Sequence, residues 1–199
     1  DSMIGLKRME NIEYCIKTIL QDGIKGDMIE TGVWRGGATI FMRAMLKAYN
    51  VTDRTVWVAD SFEGLPKPNE EKYAVDKGDK HHLMNELAIS IETVKNNFLK
   101  YNLLDDNVQF LKGWFKDTLP QAPIKELSLL RLDGDMYEST MDALNNLYHK
   151  VSKGGFIIVD DYGAISSCKQ AIIDYREQHK ITDPIHVIDW AGIYWRKSN

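Results

Sequence analysis

The sequence predicts an α/β protein, a single domain over residues 1–199 built on a Rossmann-like, doubly wound, mostly parallel seven-stranded sheet that ends in an antiparallel hairpin. Three observations carry this. Short apolar runs of strand type alternate with stretches of helical periodicity, and strand after strand ends in an acid. The last two runs are separated only by Asp189-Trp190-Ala191-Gly192, too short for a crossover helix, so they must pair antiparallel.

Taken in order, Met9, Ile12, Ile16, Ile19 and Leu20 recur at helical spacing, and Asp22-Gly23 ends that helix. Met28 and Ile29 begin the first strand, and Ala38 to Tyr49 is helical. Thr55 to Asp60 (TVWVAD) is an unbroken run typical of a strand buried on both faces. Ile89 to Tyr101 reads as a helix and Asn107 to Leu111 as a short strand. Leu127 to Asp135 (LSLLRLDGD) is an apolar strand running into acids, and Ser139 to Lys150 is the helix that returns the chain across the sheet. Gly154 to Asp161 (GGFIIVDD) repeats that pattern. A helix over Ser166 to His179 and closing strands near Ile185 to Ile188 and Ile193 to Trp195 complete the chain.

Composition narrows the function. A chain of 199 residues, 44% hydrophobic and 27% charged, can bury a sizeable core. Its net charge of −4 gives no positive field for a nucleic-acid backbone, so a small-molecule partner is favoured. No apolar run approaches the roughly 18 residues of a membrane span, and DSMIGLKRMEN lacks a signal-peptide core, so the expected location is cytoplasmic with no membrane partner. Cys15 and Cys168 match neither a disulfide framework nor a zinc spacing and read as buried thiols. The chain opens without an initiator Met, which leaves open whether further residues precede Asp1. The polar stretch 66–82, with Pro66, Pro68, Gly78, His81 and His82, is the one long interruption and reads as a lid or acceptor-binding insertion, its histidines solvent-exposed.

The chemistry sits at the strand ends, because ligands of an open α/β sheet bind outside the carboxyl ends of its strands. In DMIETGVWRGG, Glu30 and Thr31 close the first strand, and Gly32, Gly36 and Gly37 allow close approach of a ligand at the start of a helix. A carboxylate there disfavours a pyrophosphate and suits a cofactor with a cationic centre, which points to S-adenosylmethionine rather than NAD. Asp60, roughly 20 to 30 residues beyond the glycines, is placed to accept from the ribose hydroxyls. The alternative for Asp60 is a helix cap, but Ser61-Phe62-Glu63 begins no helix. After the third strand, Gly113-Trp114 offers an aromatic cover for adenine or, equally, a core turn.

Asp133, Asp135, Asp160 and Asp161 crowd one rim if the strands bearing them are neighbours, and such carboxylates repel unless a cation is present. An all-oxygen set suits a hard ion such as Mg²⁺, for which Asp133, Asp160 and Asp161 are preferred. A hydroxyl near that ion would lose its proton to Asp133 or Asp135. Two other classes are a catalytically silent adenosylmethionine-binding protein used for regulation or assembly, and an NAD-dependent oxidoreductase. The full acid set speaks against the first; Glu30 and the terminal hairpin speak against the second.

The segments SMIGLKRMENIEYCI, IETGVWRGGATIFMRAMLKAY, DRTVWVADSFEGLPKP, LRLDGDMYEST and GGFIIVDDYG resemble those of the macrocin O-methyltransferase family, over nearly the whole chain. The resemblance implies a class I methyltransferase fold, usually oligomeric, that methylates sugar hydroxyls of macrolide and related antibiotics with adenosylmethionine and Mg²⁺. It implies cofactor contacts at Glu30, Gly32 and the following glycines, Asp60 and Ser61, and metal ligands at Asp133, Asp160 and Asp161. Family members usually carry further residues before SMIGLKRM that fold over the site. The acceptor itself does not carry over, since residues 67–82 lie where relatives adapt to different substrates.

Overall fold

A computed structural model describes residues 1–199. Seven strands, β1 (Asp27–Thr31), β2 (Val56–Asp60), β3 (Val108–Lys112), β4 (Leu127–Leu132), β5 (Val151–Val159), β6 (His186–Val187) and β7 (Ile193–Arg196), form one sheet in the order β3-β2-β1-β4-β5-β7-β6. The first five are parallel; β7 is antiparallel to both β5 and β6. The predicted doubly wound sheet and its terminal hairpin are therefore both present. Strand order reverses between β1 and β4, which makes β1, β4 and β5 neighbours.

Side-chain alternation along the strands builds two cores. On one face Ile29, Leu130, Leu132, Ile157 and Val159 pack against α5 (Tyr137–Leu147) and α6 (Ser166–Gln178) through Ala143, Leu144, Leu147, Ile172 and Tyr175. On the other, Met28, Val56, Leu129, Phe156 and Ile158 meet Ile12, Cys15, Ile16 and Ile19 of α1 (Leu6–Gln21) and Met42 and Leu46 of α2 (Gly37–Ala48). α3 (Ile91–Lys100) covers β2 and β3 with Val94 and Phe98. No helix is long and apolar enough to cross a membrane. Both cysteines are free and buried, as predicted.

The structure departs from the sequence reading at several ends. α1 begins three residues before Met9, at Leu6, whose side chain is exposed. α5 begins at Tyr137 rather than Ser139, capped by a residue remote in sequence. β4 stops at Leu132, leaving Asp133-Gly134-Asp135 as a loop. β5 starts at Val151, before a register shift that brings Phe156 opposite Leu129. A short α4 (Phe115–Thr118) replaces the expected aromatic turn, and residues 66–82 hold 3-10 turns at Ala74–Asp76 and from His81.

Candidate active site

The same alternation that builds the α1/α2 core also delivers the acids. Met28 and Glu30 on β1, Leu129 and Arg131 on β4, and Phe156 and Ile158 on β5 face one side, and the parity continues to Asp133 and Asp160 just past the strands. Register places Glu30 opposite Arg131, and Arg131 opposite Ile158. The ladder runs one residue further on each strand, with Asp133 N donating to Thr31 O and Asp160 N to Leu132 O, both at 2.9 Å. Backbone pairing thus fixes where the carboxylates stand before any side chain chooses a rotamer.

Arg131, which the sequence reading left inside an apolar strand, is the hub. Fully buried, it donates to Glu30, to Asp160 and to Asp133, the last at 2.6 Å. Arg8 of α1 adds a second guanidinium, 2.5 Å from Asp160 Oδ2 and 2.8 Å from Asp189 Oδ2. The crowding for which the sequence reading invoked a metal ion is relieved in part from within the chain: two arginines offset part of the charge.

They do not offset all of it. Glu30, Asp133, Asp135, Asp160 and Asp161 line one cavity of about 260 Å³ with Arg8, and Arg131 stands behind them, so five carboxyls face two guanidiniums. Asp161 Oδ2 is buried with no partner. Oxygens of Asp133, Asp160 and Asp161 lie within 4.8 Å of one another. Burial pushes the Asp161 carboxyl well above the usual range, and Asp133, Asp135 and Asp160 push it further. Burial and the neighbouring Asp133 raise Asp135 to about 7, and burial raises Glu30 to about 8 against the pull of Arg131. A deprotonated cluster of this kind fits a hard cation, and the donors are all oxygens.

A larger cleft of about 800 Å³ opens beside it, where the ends of β1, β2, β3 and β4 converge. Gly32, Asp60, Ser61, Gly113, Trp114 and Asp133 line it, six of the positions predicted for the cofactor. Glu30 and Gly37 face the smaller cavity instead, and Thr31 and Gly36 line neither. Thr31 is buried with its hydroxyl toward Arg131 O, and Gly36, at φ +84°, abuts Val94 of α3. Asp60 braces its own surroundings, accepting from Val33 N and Phe62 N at 2.7 Å each, and burial raises its pKa. Ser61 Oγ adds a longer hydrogen bond to Asp60 Oδ1, at 3.4 Å. Residues 66–71, Asp79 and His82 wall the other side of the cleft, and His81 faces the smaller cavity. The two histidines are half-buried, not solvent-exposed as expected; His81 Nδ1 is 2.7 Å from Asp79 Oδ2.

The fold and these strand-end groups define a class I methyltransferase, and comparison with known proteins makes it an adenosylmethionine-dependent O-methyltransferase. The chain belongs to the macrocin-O-methyltransferase (TylF) family, whose profile matches residues 1–197. It is 56% identical over 196 residues to the 8-demethyl-8-(2,3-dimethoxy-α-L-rhamnosyl)-tetracenomycin-C 4'-O-methyltransferase of Streptomyces olivaceus, covering 98% of this chain and 75% of that one. It is 52% identical over 200 residues to the mycinamicin III 3''-O-methyltransferase of Micromonospora griseorubida, covering 99% and 78%. Among solved structures, the O-methyltransferase NovP superposes with a TM-score of 0.97 at 53% identity, over 100% of this chain and 82% of that one.

Proposed function

We propose that this protein methylates a hydroxyl on the sugar of a glycosylated natural product, with a divalent cation at Asp133, Asp160 and Asp161 and Asp135 as the proton acceptor. One observation carries the reading: three convergent carboxylates, one with an orphaned buried oxygen, stand beside Asp135 at the wall shared by the two cavities. The rhamnosyl group in the name of the Streptomyces olivaceus relative supports a sugar as acceptor.

In this reading Gly32, Asp60, Ser61 and Trp114 hold adenosylmethionine in the larger cleft, where Asp60 receives the ribose hydroxyls and Trp114 covers the adenine. Adenosylmethionine supplies an electrophilic methyl on sulfur, and a bound divalent ion stabilises negative charge on the acceptor oxygen. The remaining work is done by side chains. Asp133 is held at 2.6 Å by Arg131, which fixes its orientation. Asp135 has no such partner, so its carboxylate is free to accept the proton of the acceptor hydroxyl; in the metal-free protein burial and then Asp133 raise it to about 7, and a bound cation would lower it. The lid residues 66–71 exclude water from the cleft while donor and acceptor are aligned.

The test is incubation with methyl-labelled adenosylmethionine, Mg²⁺ and a panel of de-O-methyl glycosides, including 8-demethyl-8-(2,3-dimethoxy-α-L-rhamnosyl)-tetracenomycin C. Label transfer to a sugar oxygen is expected, and a chelator should abolish it; transfer undiminished by the chelator would remove the metal. Asp135→Asn should lose turnover by roughly 10²-fold or more while still binding adenosylmethionine, and full activity in that variant would hand the proton to another group.

A further inference from the structure

We propose that Asp76 is a positioning residue: it latches the lid onto the amino end of α5 and thereby fixes the Asp133–Asp135 loop for methyl transfer. Asp76 lies midway along a lid that is otherwise largely exposed, yet it is only 2% exposed itself. Its Oδ1 accepts from Tyr137 N at 2.7 Å and its Oδ2 from Glu138 N at 3.0 Å. Those are the first two residues of α5, whose own N-cap residue, Met136, offers no side-chain acceptor. A helix of this length leaves free N–H groups and a partial positive charge at that end, so a remote carboxylate supplies both the cap and the countercharge. Ring contact between Tyr73 and Tyr137, with centroids 5.6 Å apart, and the Tyr137 hydroxyl donating to Asp174 of α6 at 2.9 Å carry the junction onto α6.

What the latch holds is the catalytic loop. Asp135, immediately before Met136, has a left-handed backbone at φ +57°, and Met136 N donates to Gly134 O at 2.5 Å in a tight turn. Such a conformation costs energy for a residue with a Cβ and persists only where both sides are tied down. β4 ties one side through Asp133 N and Thr31 O; the capped α5 ties the other. On the lid side of Asp76, residues 66–71 wall the larger cleft and Asp79, His81 and His82 the cavities beyond. A single carboxylate therefore connects the segment that covers the acceptor to the loop that would take its proton.

The inference rests on the reading of residues 66–82 as the acceptor lid, and the test separates the two. Asp76→Ala and Asp76→Asn are compared with wild type by hydrogen exchange, by limited trypsin digestion at Lys72, Lys77 and Lys80, and by rates on 8-demethyl-8-(2,3-dimethoxy-α-L-rhamnosyl)-tetracenomycin C. In Asp76→Ala, exchange over 133–138 should rise roughly tenfold and lid cleavage should quicken, with the β-strand amides unchanged. kcat should fall and KM for adenosylmethionine should hold. Asp76→Asn, which keeps one acceptor oxygen, should recover most of each effect. Exchange that rises equally over the whole sheet, or variants indistinguishable from wild type at 133–138, would overturn the latch. If wild type does not turn over the glycoside, the acceptor assignment fails, while exchange and proteolysis still decide the role of Asp76.

Discussion

Arg131 shows what a single buried charge does here. Its guanidinium is 0% exposed and touches three carboxylates, so its removal leaves Glu30 and Asp160 buried without their main partner. Arg131→Met should therefore destabilise by about 3–5 kcal/mol, read as a lower urea midpoint at an unchanged slope. A change within about 1 kcal/mol would mean that the carboxyls simply protonate and need no counter-ion. The sequence held the signal for this residue, although the strand was read as merely apolar. A lone Arg within LSLLRL, on the same face as Asp133 and two residues before it, cannot be an ordinary core position. What the sequence could not supply was the pairing of β1 with β4 that sets Glu30 opposite it, since that depends on strand order.

At the scale of elements, the junction between β1 and α2 is governed by how closely two backbones approach. Gly32, at φ +88°, lies so near β4 that an added Cβ would meet Asp133 O at 1.8 Å. Gly32→Ala must part the ends of β1 and β4, and should cost at least about 1–3 kcal/mol in thermal or chemical unfolding and displace Asp133 enough to lose activity. Ser90, whose Oγ accepts from Thr93 N at 3.2 Å, caps α3 and lines neither cavity. Ser90→Ala should cost about 1 kcal/mol with turnover intact, which makes it the control for Gly32. The elements were legible where periodicity and local punctuation coincide, as in TVWVAD and in the helix from Ser166. Their ends were not legible where a remote residue decides them. α5 starts two residues early because Asp76, some sixty positions upstream, provides its cap.

Over the whole molecule, doubly wound topology was readable because acids punctuate successive strands, whereas the partition of the site into two cavities was not, because it depends on where residues 66–82 and Asp1–Ile4 lie. That partition concentrates carboxyls in one small space, and stability should respond to pH accordingly. Asp135 and Glu30 titrate in the folded protein near 7 and 8, against ordinary values of about 3.9 and 4.3 in an unfolded chain. Between those limits the folded state binds more protons than the unfolded one, so unfolding free energy falls as pH rises. The contribution of these groups is complete below about pH 4 and is lost as pH passes through 7 to 8. Asp105, held below the ordinary range chiefly by its hydrogen bond from Arg43, acts in the opposite sense and only in acid, where its contribution is lost as pH falls. Metal-free protein should therefore melt at progressively lower temperature from about pH 5 to 8, and Asp135→Asn should flatten that slope. A divalent ion competes with the same protons, so the rise in melting temperature on adding Mg²⁺ should be small near pH 5 and largest near pH 8. A Mg²⁺ shift independent of pH would place the ion away from these carboxyls, and a melting temperature that climbs over this range in the metal-free protein would show that they stay ionised when buried.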